Sequence, residues 1–324
     1  MEMIKNIAVL LVGFVLLIKG ADFFVEGSSS IAKLLKVPSV IIGLTIVAIG
    51  TSAPELSVSI TASLAGNNAL SISNVIGSNI FNLLMVVGIS AIMLPMKVEK
   101  GIMKKEFPMM LAVSVLMIGM LFITKLTDGE YGISRICGIV LFVLFVAFII
   151  YMVVSAMKNR VEADGEVKTH NMLVSIIFVV GGIAAIKFGG DFVVNSASGI
   201  AKAMGMTDTL IGLTIVALGT SLPELVTSIV AVRKGENDLA LGNVVGSNLC
   251  NILLILGVAG SISPIMLKGT SGMEAMIDGI YMIIVSFITF LFARKKYEIS
   301  RIEGAVMVAL YLAYMVYAVL RVYI

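Results

Sequence analysis

The chain is written twice. Adding 169 to a residue number carries GLTIVAIGTSAPEL (43–56) onto GLTIVALGTSLPEL (212–225), with 12 of 14 positions identical. The same offset carries NVIGSNIFN (74–82) onto NVVGSNLCN (243–251), DFFV (22–25) onto DFVV (191–194), and Pro95 onto Pro264. Whatever architecture one half adopts, the other is expected to repeat, so the fold is constrained as a pair of like units.

Each unit reads as a membrane body. Of the 324 residues 59% are hydrophobic and only 13% charged, where a soluble domain carries about 25% charged residues. Ten apolar segments are long enough to cross a hydrocarbon core of about 30 Å. They lie near 4–25, 39–65, 71–94, 107–125, 132–155, 171–195, 209–232, 240–262, 274–293 and 302–323. The start MEMIKNIAVLLVGFVLL could pass for a signal peptide, but no small-residue cleavage site follows and the segment runs into the repeat. It is read as the first transmembrane helix.

The expected fold is therefore an all-α polytopic membrane protein of ten transmembrane helices. Residues 1–155 form a first five-helix repeat, 156–170 a cytoplasmic linker, and 171–324 a second repeat. Five is odd, so two such repeats in series enter the membrane in opposite senses. That is the inverted-repeat plan of secondary transporters, which places the substrate at mid-depth between the repeats. Placing the N-terminus outside puts 15 of the 23 Lys and Arg residues inside and 6 outside, with Lys19 and Lys187 falling within spans. Positive charge favours the cytoplasmic side, so both termini are expected to be extracytoplasmic, in the cell (cytoplasmic or inner) membrane.

Several function classes are excluded. No P-loop offers ATP coupling, and no serine–histidine pair or histidine metal motif lies within the spans, so an enzyme is not expected. The net charge of +3, without a long basic run, gives no reason to expect nucleic-acid binding. Cys137 and Cys250 have neither metal-ligand nor redox spacing. No cofactor is implied. His170, the only histidine, reads as solvated in the linker, and Asp22 and Asp191 as surface caps near span ends.

The repeated motifs carry the chemistry. A glutamate at membrane depth costs a few kcal/mol, and a proline inside a helix about 3 kcal/mol more. Here the two stand side by side, twice: Pro54 with Glu55, and Pro223 with Glu224. The prolines would free backbone oxygens near Gly50 and Thr51, and near Gly219 and Thr220. Thr51, Ser52 and Ser59 sit three or four residues from Glu55, on one helix face, as Thr220, Ser221 and Ser228 do around Glu224. The next span presents Asn74, Ser78 and Asn82 at intervals of four, mirrored by Asn243, Ser247 and Asn251. Gly77 and Gly246 would let another backbone come close. Two carboxylates with hydroxyl, amide and carbonyl oxygens suit a hard cation, and Ca²⁺ takes 6–8 such ligands. If an empty site is poor at changing access and a filled one is not, obligate exchange follows.

GTSAPEL and GTSLPEL, each followed by an N-V-x-G-S-N segment, resemble the two α-repeats of the calcium/cation antiporter superfamily, the sodium/calcium exchangers. The resemblance extends over all ten spans and is nearest to the compact bacterial and archaeal members, since the linker has no room for a large calcium-sensing domain. It implies that Glu55 and Glu224 are the main ligands shared by Ca²⁺ and Na⁺, and that the Thr51 and Thr220 carbonyls complete a calcium site. Ser52, Ser78, Asn82, Ser221, Ser247 and Asn251 would line flanking sodium sites. The first and sixth helices would slide across the rest to alternate access. Potassium-dependent relatives carry aspartate at the position of Asn251, so K⁺-independent transport is expected. A Ca²⁺/H⁺ antiporter on the same fold is one alternative, although such proteins typically have G-N-x-x-E where this chain has Thr-Ser-x-Pro-Glu. A passive cation channel is another.

Overall fold

The computed structural model describes residues 2–158, 170–206, 215 and 217–323. Its long helices follow the apolar segments. They are α1 (Glu2–Leu35), α2 (Ser39–Thr51), α3 (Ala53–Leu64), α4 (Asn68–Met93), α5 (Glu106–Asp128), α6 (Arg135–Lys158), α7 (Met172–Ala203), α8 (Leu222–Arg233), α9 (Asn237–Ile262), α10 (Ser271–Lys296) and α11 (Arg301–Tyr323). Eight of these are long and apolar enough to cross a membrane unaided, and α2 with α3 makes a ninth crossing bent by 47°. The expected span at 209–232 is described only from Ala217 onward, except for residue 215; its beginning lies outside the described residues.

The bend has a cause at Pro54. The proline does not sit inside a helix; it opens α3, at its first or second position, with Ser52 at the junction. In that first turn the missing N–H has no partner to lose, so the cost assigned to a helix-interior proline does not arise. Bonds from Ser52 N to Ala48 O and from Leu56 N to Ser52 O, both 3.0 Å, carry the chain across the break. Pro223 opens α8 behind Ser221 in the same way. Among the described residues wide π-helical turns lie at Gly43–Val47, Asn82–Val86 and Asn251–Leu256. The second and third begin on residues 169 apart.

Helices α1 and α7 form an antiparallel pair along a seam of small residues. A side chain at Gly13 would strike the Gly189 carbonyl, and one at Gly20 the Gly182 carbonyl. The repeat offset maps Gly13 onto Gly182 and Gly20 onto Gly189, so the seam is its own mirror image. Elsewhere the two halves are stitched by short ribbons. β1 (Met96–Lys97) pairs with β4 (Glu298–Ile299) at the end of the bundle where the inter-repeat linker attaches, here called the linker face. β2 (Tyr131–Ile133) pairs with β3 (Ile265–Leu267) at the opposite face.

On the linker side of the centre, α2 and α9 are pressed together: a Cβ on Gly242 would lie 2.6 Å from the Val40 carbonyl, and one on Gly246 would lie 2.7 Å from Leu44 Cα. Among the described residues nothing lies within 4 Å of a Cβ on Gly77, the counterpart of Gly246; the segment that the repeat would set against it, 207–216, lies outside the described residues except for 215.

Candidate cation site

The two glutamates meet at the centre, buried to 1% exposure or less. Each is held by the serine of the opposite repeat. Ser52 donates to Glu224 Oε1 and Ser221 donates to Glu55 Oε1, both at 3.2 Å. These bonds are exchanged by the 169-residue offset, so the carboxylates face each other across a local two-fold axis. Ser221 Oγ also lies 3.1 Å from Ser78 Oγ, and Ser247 Oγ reaches Glu224 Oε1 at 3.4 Å. Thr51 Oγ1 sits 3.1 Å from Asn243 Oδ1 and 3.3 Å from Ser247 Oγ.

Glu55, Thr51, Ser52, Ser78, Asn82, Glu224, Ser221, Ser247 and Asn251 are thus all buried in one cluster. Thr220 follows the turn Ala217–Gly219 and is half-buried. Gly50 and Gly219 mark where the α1–α7 pair touches the breaks. A Cβ on Gly50 would meet Phe24 of α1 and Ile183 of α7, and one on Gly219 would overlap Val194 of α7.

Other polar residues support these. Asn74 Nδ2 donates to Ser59 Oγ (2.9 Å) and to the Glu55 carbonyl (3.3 Å); Asn243 does the same to Ser228 (3.0 Å) and Glu224 (3.5 Å). Ser59, Ser228, Asn74 and Asn243 therefore brace the glutamate-bearing helices. Sequence reasoning missed Asn79 and Asn248, both 1% exposed, which bond across the centre to each other's backbone. The signal was available: each is an amide inside the GSN triplet that both repeats share.

The cluster has oxygen to spare. Glu55 Oε2, Glu224 Oε2, Asn82 Oδ1 and Asn251 Oδ1 are buried without a hydrogen-bond partner among the described residues. A buried acceptor left unmade costs on the order of 1–3 kcal/mol, more if charged. Four of them, two on carboxylates and related by the repeat, are what a cation's coordination shell supplies a partner for. Among the described residues no three of His, Cys, Asp and Glu come together. The oxygens gathered here belong to hydroxyls, amides and two carboxylates, a combination that suits Na⁺ or Ca²⁺ and not a soft metal.

Other sequence expectations were wrong. Asp22 and Asp191 cap no helix; they lie within α1 and α7, where Asp22 pairs with Lys234 (3.2 Å) and Asp191 with Lys187 (2.9 Å). His170 is not simply solvated, because its Nε2 lies 2.7 Å from Glu26 Oε1. In both cases a partner distant in sequence, or one helical turn away, was invisible to composition.

The family profile described as sodium/calcium exchanger protein matches residues 5–154 and 174–320. The chain belongs to the sodium/calcium exchanger family. It is 38% identical to the sodium/calcium exchanger MaX1 of Methanosarcina acetivorans, over 96% of this chain and 97% of that protein. It is 39% identical to the putative antiporter CaxA of Alkalimonas amylolytica, over 94% and 95% of the two chains. Among solved structures it is similar to the sodium-calcium exchanger NCX_Mj, with a TM-score of 0.81 and 33% identity over 96% of this chain and 98% of that one. The protein is a multi-pass membrane cation antiporter of that family, not an enzyme.

Proposed function

We propose that this exchanger moves Ca²⁺ against Na⁺ by alternating access, with the ions bound between Glu55 and Glu224 at mid-depth. The observation that carries this reading is the reciprocal cross-bracing of the two glutamates, which leaves one oxygen of each carboxylate unpartnered in a buried, repeat-symmetric centre. Two negative charges there balance one Ca²⁺, or a small number of Na⁺ ions. Ser52, Ser221, Ser78 and Ser247, with Asn82 and Asn251, complete the ion shells, and Thr51 and Thr220 contribute backbone carbonyls.

The close α2–α9 contact on the linker side supports a barrier between the site and that face. With the linker face in the cytoplasm, both termini are extracytoplasmic. The α1–α7 pair touches both helix breaks, so its sliding is the motion that would switch the open side.

Transport is K⁺-independent in this reading, because Asn251 places an amide where an aspartate would add charge. The amide is also used structurally, since Asn251 Nδ2 donates to Asn79 Oδ1 at 2.9 Å. The test is Ca²⁺ uptake by proteoliposomes loaded with Na⁺, with and without K⁺, beside vesicles carrying only a pH gradient. Uptake is expected to need internal Na⁺ and ignore K⁺. Uptake driven by the pH gradient and indifferent to Na⁺ would overturn the coupling; Ca²⁺ entry with no counter-ion would make the protein a channel.

A further inference from the structure

A carboxamide has two ends of nearly equal size and opposite chemistry. Its oxygen can ligate a cation, whereas its NH₂ group repels one. Asn82 and Asn251 each sit one helical turn beyond a serine of the cluster, Ser78 and Ser247, so something must decide which end faces the ion. The bonds around Asn79 and Asn248 do so.

The order starts from the backbone. The Asn79 carbonyl can only accept, and Asn248 Nδ2 donates to it at 3.4 Å. That turns Asn248 Oδ1 the other way, where it accepts from Asn82 Nδ2 at 3.1 Å. Asn82 has then spent its NH₂ end, and its Oδ1 is the one left buried and unpartnered. The second chain is the mirror of the first. The Asn248 carbonyl accepts from Asn79 Nδ2 at 3.4 Å, Asn79 Oδ1 accepts from Asn251 Nδ2 at 2.9 Å, and Asn251 Oδ1 remains unpartnered. Each relay is anchored on a main-chain group that cannot reverse. All four side chains are 1% exposed, so water does not compete for either end.

We infer that Asn79 and Asn248 are positioning residues that fix the amide polarity of Asn251 and Asn82, so that both present oxygen to the transported cation. This rests on the site proposed above and assigns a role to two residues that do not touch the ion. Losing such an outer partner typically costs about 10–100-fold in metal affinity.

A double-mutant cycle separates polarity from packing. In Asn79→Leu, the Asn251 amide is free to turn, and the half-saturating Na⁺ and Ca²⁺ concentrations are expected to rise by about tenfold or more. In an Asn251→Asp background the two ends are both oxygen, so adding Asn79→Leu should change the same concentrations by less than about threefold. Equal penalties in both backgrounds would overturn the inference, as would unchanged ion affinity in Asn79→Leu. A purely structural role would instead lower thermal stability and maximal rate alike, in either background. Should Asn79→Leu not fold, the mirrored cycle of Asn248→Leu with Asn82→Asp poses the same question. Glu55→Gln serves as the control on the site itself: if it transports normally the site reading fails, whereas an inactive Glu55→Gln beside an indifferent Asn79→Leu sinks only the relay.

Discussion

Glu55 and Glu224 are chemically alike but not identically placed. Both accept a hydroxyl from the opposing serine, and Glu224 also takes one from Ser247. Neutralising either leaves one carboxylate to balance the bound cations. Glu55→Gln and Glu224→Gln should each reduce Na⁺-driven Ca²⁺ uptake to below about one hundredth, since removing one member of a buried charge pairing costs about 3–5 kcal/mol. Protein yield and melting in detergent should hold, because glutamine keeps the shape and can still accept from the serine. Near-normal flux in either variant would refute the site. At this scale the glutamates were legible because a charge in an apolar run demands an explanation, and its copy demands it twice. Asn79 and Asn248 were not. The GSN triplet marked them as repeated polar residues, each three residues before Asn82 or Asn251, but not what they do, because their partners come from the other half of the chain.

Among the elements, helix breaks were readable and helix shapes less so. Proline beside a glutamate announced the bend, though not that Pro54 would sit harmlessly in a first turn. The π-helical turns had no signature, because they arise from how a helix accommodates its neighbours and not from residue type. Helix α1 runs 34 residues where hydropathy suggested a span at 4–25. Its polar continuation is held by partners elsewhere: Ser29 donates to Glu236, and Lys234 reaches both Asp22 and Glu26. In the centre α2 is pressed close on α9 at Gly246. Gly246→Ala forces a methyl against the Leu44 backbone, and overpacking of this kind costs about 1–3 kcal/mol. A lower melting temperature in detergent is expected for that variant; an unchanged one would mean the contact has room the geometry denies.

Over the whole molecule, the sequence repeat led to an expectation of two like units and said nothing of how they engage. The offset alone does not say that α1 pairs with α7 along a self-mirrored seam, or that the ribbons β1–β4 and β2–β3 join one half to the other. If the seam makes α1 and α7 one rigid body, a covalent link within it should be harmless. Phe23 and Phe178 lie with ring centroids 5.1 Å apart across the pair. In a background lacking Cys137 and Cys250, cross-linked cysteines at 23 and 178 should leave exchange within about twofold of the reduced protein, since no hinge is crossed. Cysteines replacing Ser29 and Glu236 instead tie the pair to the turn between α8 and α9. Cross-linking those should stop transport, and reduction should restore it; continued exchange would rule out sliding of the pair.

Gly77 has a last consequence. Among the described residues nothing lies within 4 Å of a Cβ placed there. Its copy, Gly246, has no such freedom. A duplicated chain that passes between mirror-related shapes would make each half meet, in turn, the demands now met by the other. What α2 now asks of Gly246 would then be asked of Gly77, and an added methyl there should tax turnover and leave affinity alone. Gly77→Ala is expected to keep its half-saturating Na⁺ and Ca²⁺ and lose rate; full speed in that variant would show that the second shape is not the reflection of the first.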